Sequence, residues 1–107
     1  MRRGDIWLAR GERRYAAKTR PVVILSVETT AFDSTVTCLL TSVSSDEIET
    51  RVRVTPTPEN GLAKTSWVMT EKIVTLSQED FIQRIGRMSD EKMAEITRKV
   101  ARVLGIT

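Results

Sequence analysis

The chain has 107 residues, 40% of them apolar and 29% charged, with a formal net charge of +3. This length suits one compact domain over residues 1–107 and is too short for two, and no run of 18 apolar residues offers a membrane span. Histidine is absent and Cys38 is the only cysteine, which excludes a Ser–His–Asp or Cys–His centre, an internal disulfide and a cysteine-based zinc site. Catalysis, if any, falls to Arg, Lys, carboxylates or hydroxyls. No apolar leader follows Arg2 and Arg3, so the expected location is the cytoplasm. The charge is uneven. Residues 1–20 hold seven cations (Arg2, Arg3, Arg10, Arg13, Arg14, Lys18, Arg20) against Asp5 and Glu12, an asymmetry that suits an anionic partner.

Ile6–Ala9 predicts a short first strand, and residues 10–20 a polar, basic loop. Pro21–Leu25 is an apolar run led by proline, which a strand tolerates at its first position. Thr35–Thr41 is rich in β-branched residues and predicts a strand, with Cys38 in its core. After a turn at Ser42–Asp46, Ile48–Thr55 alternates between apolar and charged residues as a half-buried strand does. The segment Pro56–Gly61 breaks the chain. Ser66–Met69 and Glu71–Leu76 add strand material, and Phe81–Arg87 is ambiguous, with room for a short last strand. A helix then starts at Ser89-Asp90-Glu91, a capping residue followed by acids in the first turn. Met93, Ile96, Val100 and Leu104 recur at helical spacing, and Gly105 stops the helix. The expected fold is mainly β: a small barrel-like sheet of five to seven strands with a C-terminal helix.

The short connection between the strands at Pro21 and Thr35 suits antiparallel neighbours. The start of one and the end of the other then share a sheet edge, which brings Arg20 to Thr41 and Ser42. Pro21 also biases Arg20 towards an extended backbone. An arginine fork beside hydroxyls fits a phosphodiester, because it carries its charge at any working pH and can neutralise oxygens during in-line attack. RNA brings its own nucleophile, the 2′-OH, so a metal-free cut leaving a 2′,3′-cyclic phosphate and a 5′-OH is feasible. Glu71 and Glu12 are the candidate general bases. Arg10, Arg13, Arg14, Tyr15 and Lys18 form a cationic loop with one aromatic, able to track phosphates and stack a base. Trp67 reads equally as a cleft residue or a core or interface residue.

Several blocks in order along residues 3–105 resemble the MazF/PemK (Kid-like) toxin family. They are Arg3-Gly4-Asp5-Ile6-Trp7, Arg20-Pro21-Val22-Val23-Ile24-Leu25, Leu40-Thr41-Ser42, Gly61-Leu62, Ser66–Met69, Glu71-Lys72-Ile73-Val74-Thr75-Leu76 and Arg84-Ile85-Gly86-Arg87-Met88-Ser89. The resemblance implies an SH3-like barrel, a homodimer, sequence-selective cleavage of single-stranded mRNA without a metal or other cofactor, and inhibition by a cognate antitoxin. DNA would be met only through that antitoxin. It assigns catalysis to Arg20, Thr41 and Glu71. The chain departs from some members in carrying Met69 in place of a second arginine and in lacking a loop histidine. Two rival readings are a gyrase-binding toxin of the CcdB type, whose tail carries a Trp that this chain lacks, and a non-catalytic nucleic-acid-binding barrel.

Overall fold

The computed structural model describes residues 1–10, 19–28 and 30–106. Among these residues six strands and one α-helix form: β1 (Asp5–Arg10), β2 (Thr19–Ile24), β3 (Ser34–Thr41), β4 (Val52–Val54), β5 (Ser66–Ser77), β6 (Phe81–Arg87) and α1 (Asp90–Val103). The strands make one sheet in the order β4-β5-β3-β2-β1-β6, antiparallel at every pairing. The expected mainly β fold with a terminal helix is therefore the fold that forms, as a sheet curled into a half-barrel. The ambiguous Phe81–Arg87 segment is a full strand pairing with β1.

Two expectations need correction. The strand over Ile48–Thr55 shrinks to Val52–Val54. Turn hydrogen bonds capture the preceding backbone, Ile48 N–H to Ser45 O at 3.0 Å and Arg51 N–H to Ile48 O at 3.0 Å. Ile48 is accordingly 37% exposed, against 1% for Val52. The two runs at Ser66–Met69 and Glu71–Leu76 join as one strand with a bulge. Cys38 pairs with Ile73 and Leu39 with Met69, so Thr70, Glu71 and Lys72 are extra on β5. An extra odd count shifts the in–out phase of a strand. Val68 thus faces the main core before the bulge and Ile73 after it.

α1 closes the concave side of the sheet. Ser89 caps it, its hydroxyl accepting from Lys92 N–H at 3.2 Å. Met93 and Ile96 pack with Ile6, Val23, Cys38, Leu40, Val52 and Val68, with Val100 against their edge. Burial pushes the Cys38 thiol pKa up to about 12, helped by the charge of Glu71, so it is an inert core residue. Ala9, Val22 and Leu76 form a second cluster on the other face, with Trp7, Leu39, Val74 and Phe81 against it.

The Arg3-Gly4-Asp5 block ties these layers together. Arg3 donates to Leu25 O and Thr97 Oγ1, joining the end of β2 to α1. Asp5 is 4% exposed and accepts from Arg2 N–H (2.9 Å) and Arg87 Nη1 (3.1 Å), with Arg84 Nη2 at 3.5 Å. The edges of the sheet are bridged by the β4–β5 loop, where Arg87 N–H donates to Glu59 O at 2.8 Å.

Candidate active site

Arg20 lies on β2 opposite Ala9 of β1. The β2–β3 ladder begins at Val22↔Leu39; two residues further, the same register sets Arg20 opposite Thr41. Pro21 stands between, with no N–H to give, and here the strands part. The gap is a cleft of about 550 Å³ lined by Thr19, Arg20, Thr41, Ser42, Lys64 and Ser66, among others. Arg20 and Thr41 therefore share one cleft with Ser42, as the strand geometry predicts. Among the described residues Arg20 has no carboxylate partner, whereas Arg51, Arg84 and Arg87 are each paired.

The Thr41 hydroxyl is oriented by its own turn. Its oxygen accepts from Val43 N–H at 3.1 Å, leaving the O–H free to donate elsewhere. Lys64 enters this cleft from the β4–β5 loop. Sequence reasoning passed over it, because only the fold-back of that loop, signalled by Asn60-Gly61, brings it near Arg20. Asn60 organises the loop by accepting from Thr57 N–H and Leu62 N–H, both at 3.0 Å, and donating to Thr55 O at 2.9 Å.

A second groove, of about 340 Å³, runs over the outer face of the sheet. It is lined by Ala9, Arg10, Val22, Leu39, Val74 and Leu76, by Glu71 in the bulge, and again by Arg20. Arg20 is thus the residue common to both hollows. Glu71 lines only the second. Its carboxylate receives Arg51 through Nε (3.3 and 3.2 Å) and Nη2 (2.5 Å). The Arg51 hydrogen bonds outweigh partial burial and hold its pKa below the ordinary 4.5, which leaves it a weak proton acceptor.

Trp67 lines neither hollow. It is 7% exposed and gives its indole N–H to Asp46 Oδ1 at 2.8 Å, an anchor for the 42–51 loop. Arg13, Arg14, Tyr15, Lys18 and Glu12 lie outside the described residues. Among the described residues no group of three or more Asp, Glu, Cys or His has the arrangement of a metal site, and no helix is long and apolar enough to cross a membrane.

A family model for PemK-like, MazF-like toxins of type II toxin–antitoxin systems matches residues 2–104. A relative from Mycolicibacterium smegmatis, described as a probable endoribonuclease MazF, is 32% identical over 109 residues, spanning 99% of this chain and 98% of its own. Among solved structures, a mycobacterial endoribonuclease in complex with its cognate antitoxin superposes with a TM-score of 0.84 at 22% identity, over 100% of this chain and 97% of that one. The MazE–MazF complex from Deinococcus radiodurans gives 0.75 at 16% identity, over 99% and 95%. At those identities the superpositions speak for the fold.

Proposed function

The chain belongs to the PemK-like, MazF-like family of toxins from type II toxin–antitoxin systems, and we propose that it acts as a sequence-selective endoribonuclease on single-stranded mRNA in the cytoplasm. The observation that carries this reading is Arg20, a guanidinium free of carboxylate partners among the described residues and sharing a cleft with Thr41 and Ser42. A phosphodiester seated there is held by the arginine fork and by the O–H of Thr41, which the Val43 contact leaves free to donate. The RNA 2′-OH attacks the adjacent phosphorus and gives up its proton to solvent, the bond to the 5′-oxygen breaks, and that oxygen takes a proton from solvent to leave as a 5′-OH. Negative charge grows on the phosphoryl oxygens, and Arg20 and Thr41 stabilise it where it grows. No step calls for a metal or cofactor. Ser42 lines the cleft, and Arg10 lines the outer groove with Arg20, and both fit contacts to the flanking nucleotides. Arg13, Arg14, Tyr15 and Lys18 are further proposed RNA contacts on residue type alone.

Residues 1–107 act as one toxin domain in this reading. Its partners are the RNA, a cognate antitoxin that occupies the cleft, and a second copy of the chain. The apolar lining of the outer groove (Ala9, Val22, Leu39, Val74 and Leu76) supports pairing through that face, since burying it removes apolar area from water. DNA is reached only through the antitoxin. The test is incubation of the pure protein with a long single-stranded RNA in EDTA, followed by mapping of the ends. Discrete cuts leaving 5′-OH ends are expected. Intact RNA, or cleavage that needs a divalent ion, overturns the reading.

A further inference from the structure

A continuous run of hydrogen bonds connects the β5 bulge to the cleft. Glu71 receives Arg51 Nε and Nη2, at 3.2 and 2.5 Å to Oε2. Arg51 Nη1 donates to Ser45 Oγ at 3.0 Å. The Ser45 hydroxyl donates to Val43 O at 2.8 Å, and Val43 N–H donates to Thr41 Oγ1 at 3.1 Å. Val43 is thereby held at both of its peptide groups, one by Ser45 and one by Thr41. Val43 is 70% exposed, so its position rests on these hydrogen bonds and not on burial of its own side chain. Ser45 is 2% exposed and the Arg51 side chain 16%, which shields the middle of the run from competing water.

We propose that Arg51 is a positioning residue for RNA cleavage, fixing the direction of the Thr41 hydroxyl through Ser45 and Val43 with Glu71 as its anchor. This rests on the ribonuclease reading above and assigns Glu71 to holding Arg51 in place of taking a proton. A point charge cannot replace Arg51, because one ammonium does not span a carboxylate and a hydroxyl as a planar fork does.

Ser45→Ala is the decisive variant. It keeps the Arg51–Glu71 pair and cuts the run at its centre with a small side chain. The expected result is a fall in kcat of roughly ten- to a hundredfold, as misplacement of a catalytic group produces, with KM within about twofold. Arg51→Ala, Arg51→Lys and Glu71→Gln should lower kcat likewise. The Ser45→Ala/Arg51→Ala double variant should be no worse than Arg51→Ala, because residues of one network do not add. A second readout is independent of cleavage: the ¹H–¹⁵N shift of the Val43 amide should move in all the single variants. If an Arg51 variant fails to fold, Ser45→Ala still decides. The proposal is overturned if Ser45→Ala cleaves like wild type or leaves the Val43 amide unmoved. It is also overturned if Glu71→Gln erases the acidic limb of the pH–rate profile, since Glu71 is then the proton acceptor. A wild-type protein that leaves RNA intact in EDTA instead sinks the ribonuclease reading, whatever the Val43 amide does.

Discussion

Gly61 and Gly86 sit back to back across the seam that joins the β4–β5 loop to β6. A Cβ on Gly61 would fall 1.9 Å from Ile85 O, and one on Gly86 2.3 Å from the Asn60 carbonyl carbon. Both obstacles are backbone, so neither can swing aside. Gly86→Ala should therefore lower stability by about 2 kcal/mol or more, in the upper range for overpacking, and Tm by roughly 10 °C for a domain of this size. Gly105→Ala is the control. That residue has φ +73° but nothing within 4 Å of a new Cβ, so its loss is only the left-handed penalty of about 1 kcal/mol. Thermal melts of the two variants compare the effects; equal losses would show that the backbone at the seam can yield to a Cβ.

Asp5 makes stability depend on acid. Burial raises its pKa, but the hydrogen bond from Arg2 N–H and the guanidinium groups of Arg84 and Arg87 outweigh burial, and the net direction is down from 3.8. A carboxyl lowered in the folded state stabilises the fold above its ordinary value, and that contribution is lost as pH falls through the lowered one. Asp5→Asn should cost on the order of 2 kcal/mol at neutral pH, as expected for hydrogen bonds to a charged group. Denaturant titrations of both proteins should converge as pH drops below 3.8. A constant gap down to the lowest pH at which the fold persists would mean that Asp5 does not carry the dependence.

Arg20→Ala should abolish cleavage and leave the melting temperature near wild type, because among the described residues the side chain holds no carboxylate of its own fold. Arg20→Lys should recover little, since an ammonium lacks the fork. Thr41→Val removes the hydroxyl at constant shape, both the donor to the phosphate and the acceptor of the Val43 N–H, and should lower kcat by about a hundredfold or more, the range for loss of one charge-stabilising donor. Single-turnover assays with a fluorescent RNA measure all three. An Arg20→Ala protein that cuts near the wild-type rate would relocate the site.

Lys64 lines the same cleft as Arg20, and in the ribonuclease reading it meets a substrate phosphate other than the scissile one. Lys64→Ala should raise KM with kcat little changed, and should flatten the log–log salt dependence of RNA binding by about 0.7, the value for one single-strand phosphate contact. An unchanged salt slope would place the RNA on another wall of the cleft.

The meeting of Arg20 and Thr41 in one cleft was readable in the sequence because it needs only two neighbouring strands and a short connection, both visible as residue patterns. The helix was readable for a similar reason, since its cap, its apolar spacing and its Gly105 stop are all local. Arg51 was not. Its alternation with Ile48, Glu49 and Arg53 imitates a strand face, whereas the backbone there is spent on turns to Ser45 and Ile48. The phase of β5 was hidden too, because three residues of bulge put Val68 and Ile73 on one face though their numbers differ by an odd count. Trp67 was equally open to cleft and core from its type alone; its long-range partner Asp46 decides for the loop anchor.

Because one guanidinium lines both hollows, the two cannot use it independently. A phosphate that draws Arg20 into the strand-end cleft leaves the outer groove poorer by one charge and readier to be buried against another apolar face. If RNA binds in the cleft and copies pair through the outer groove, as proposed above, substrate occupancy and subunit pairing are linked equilibria, and linkage is reciprocal. By whatever factor RNA tightens the association of two copies, association must tighten the hold on RNA by the same factor.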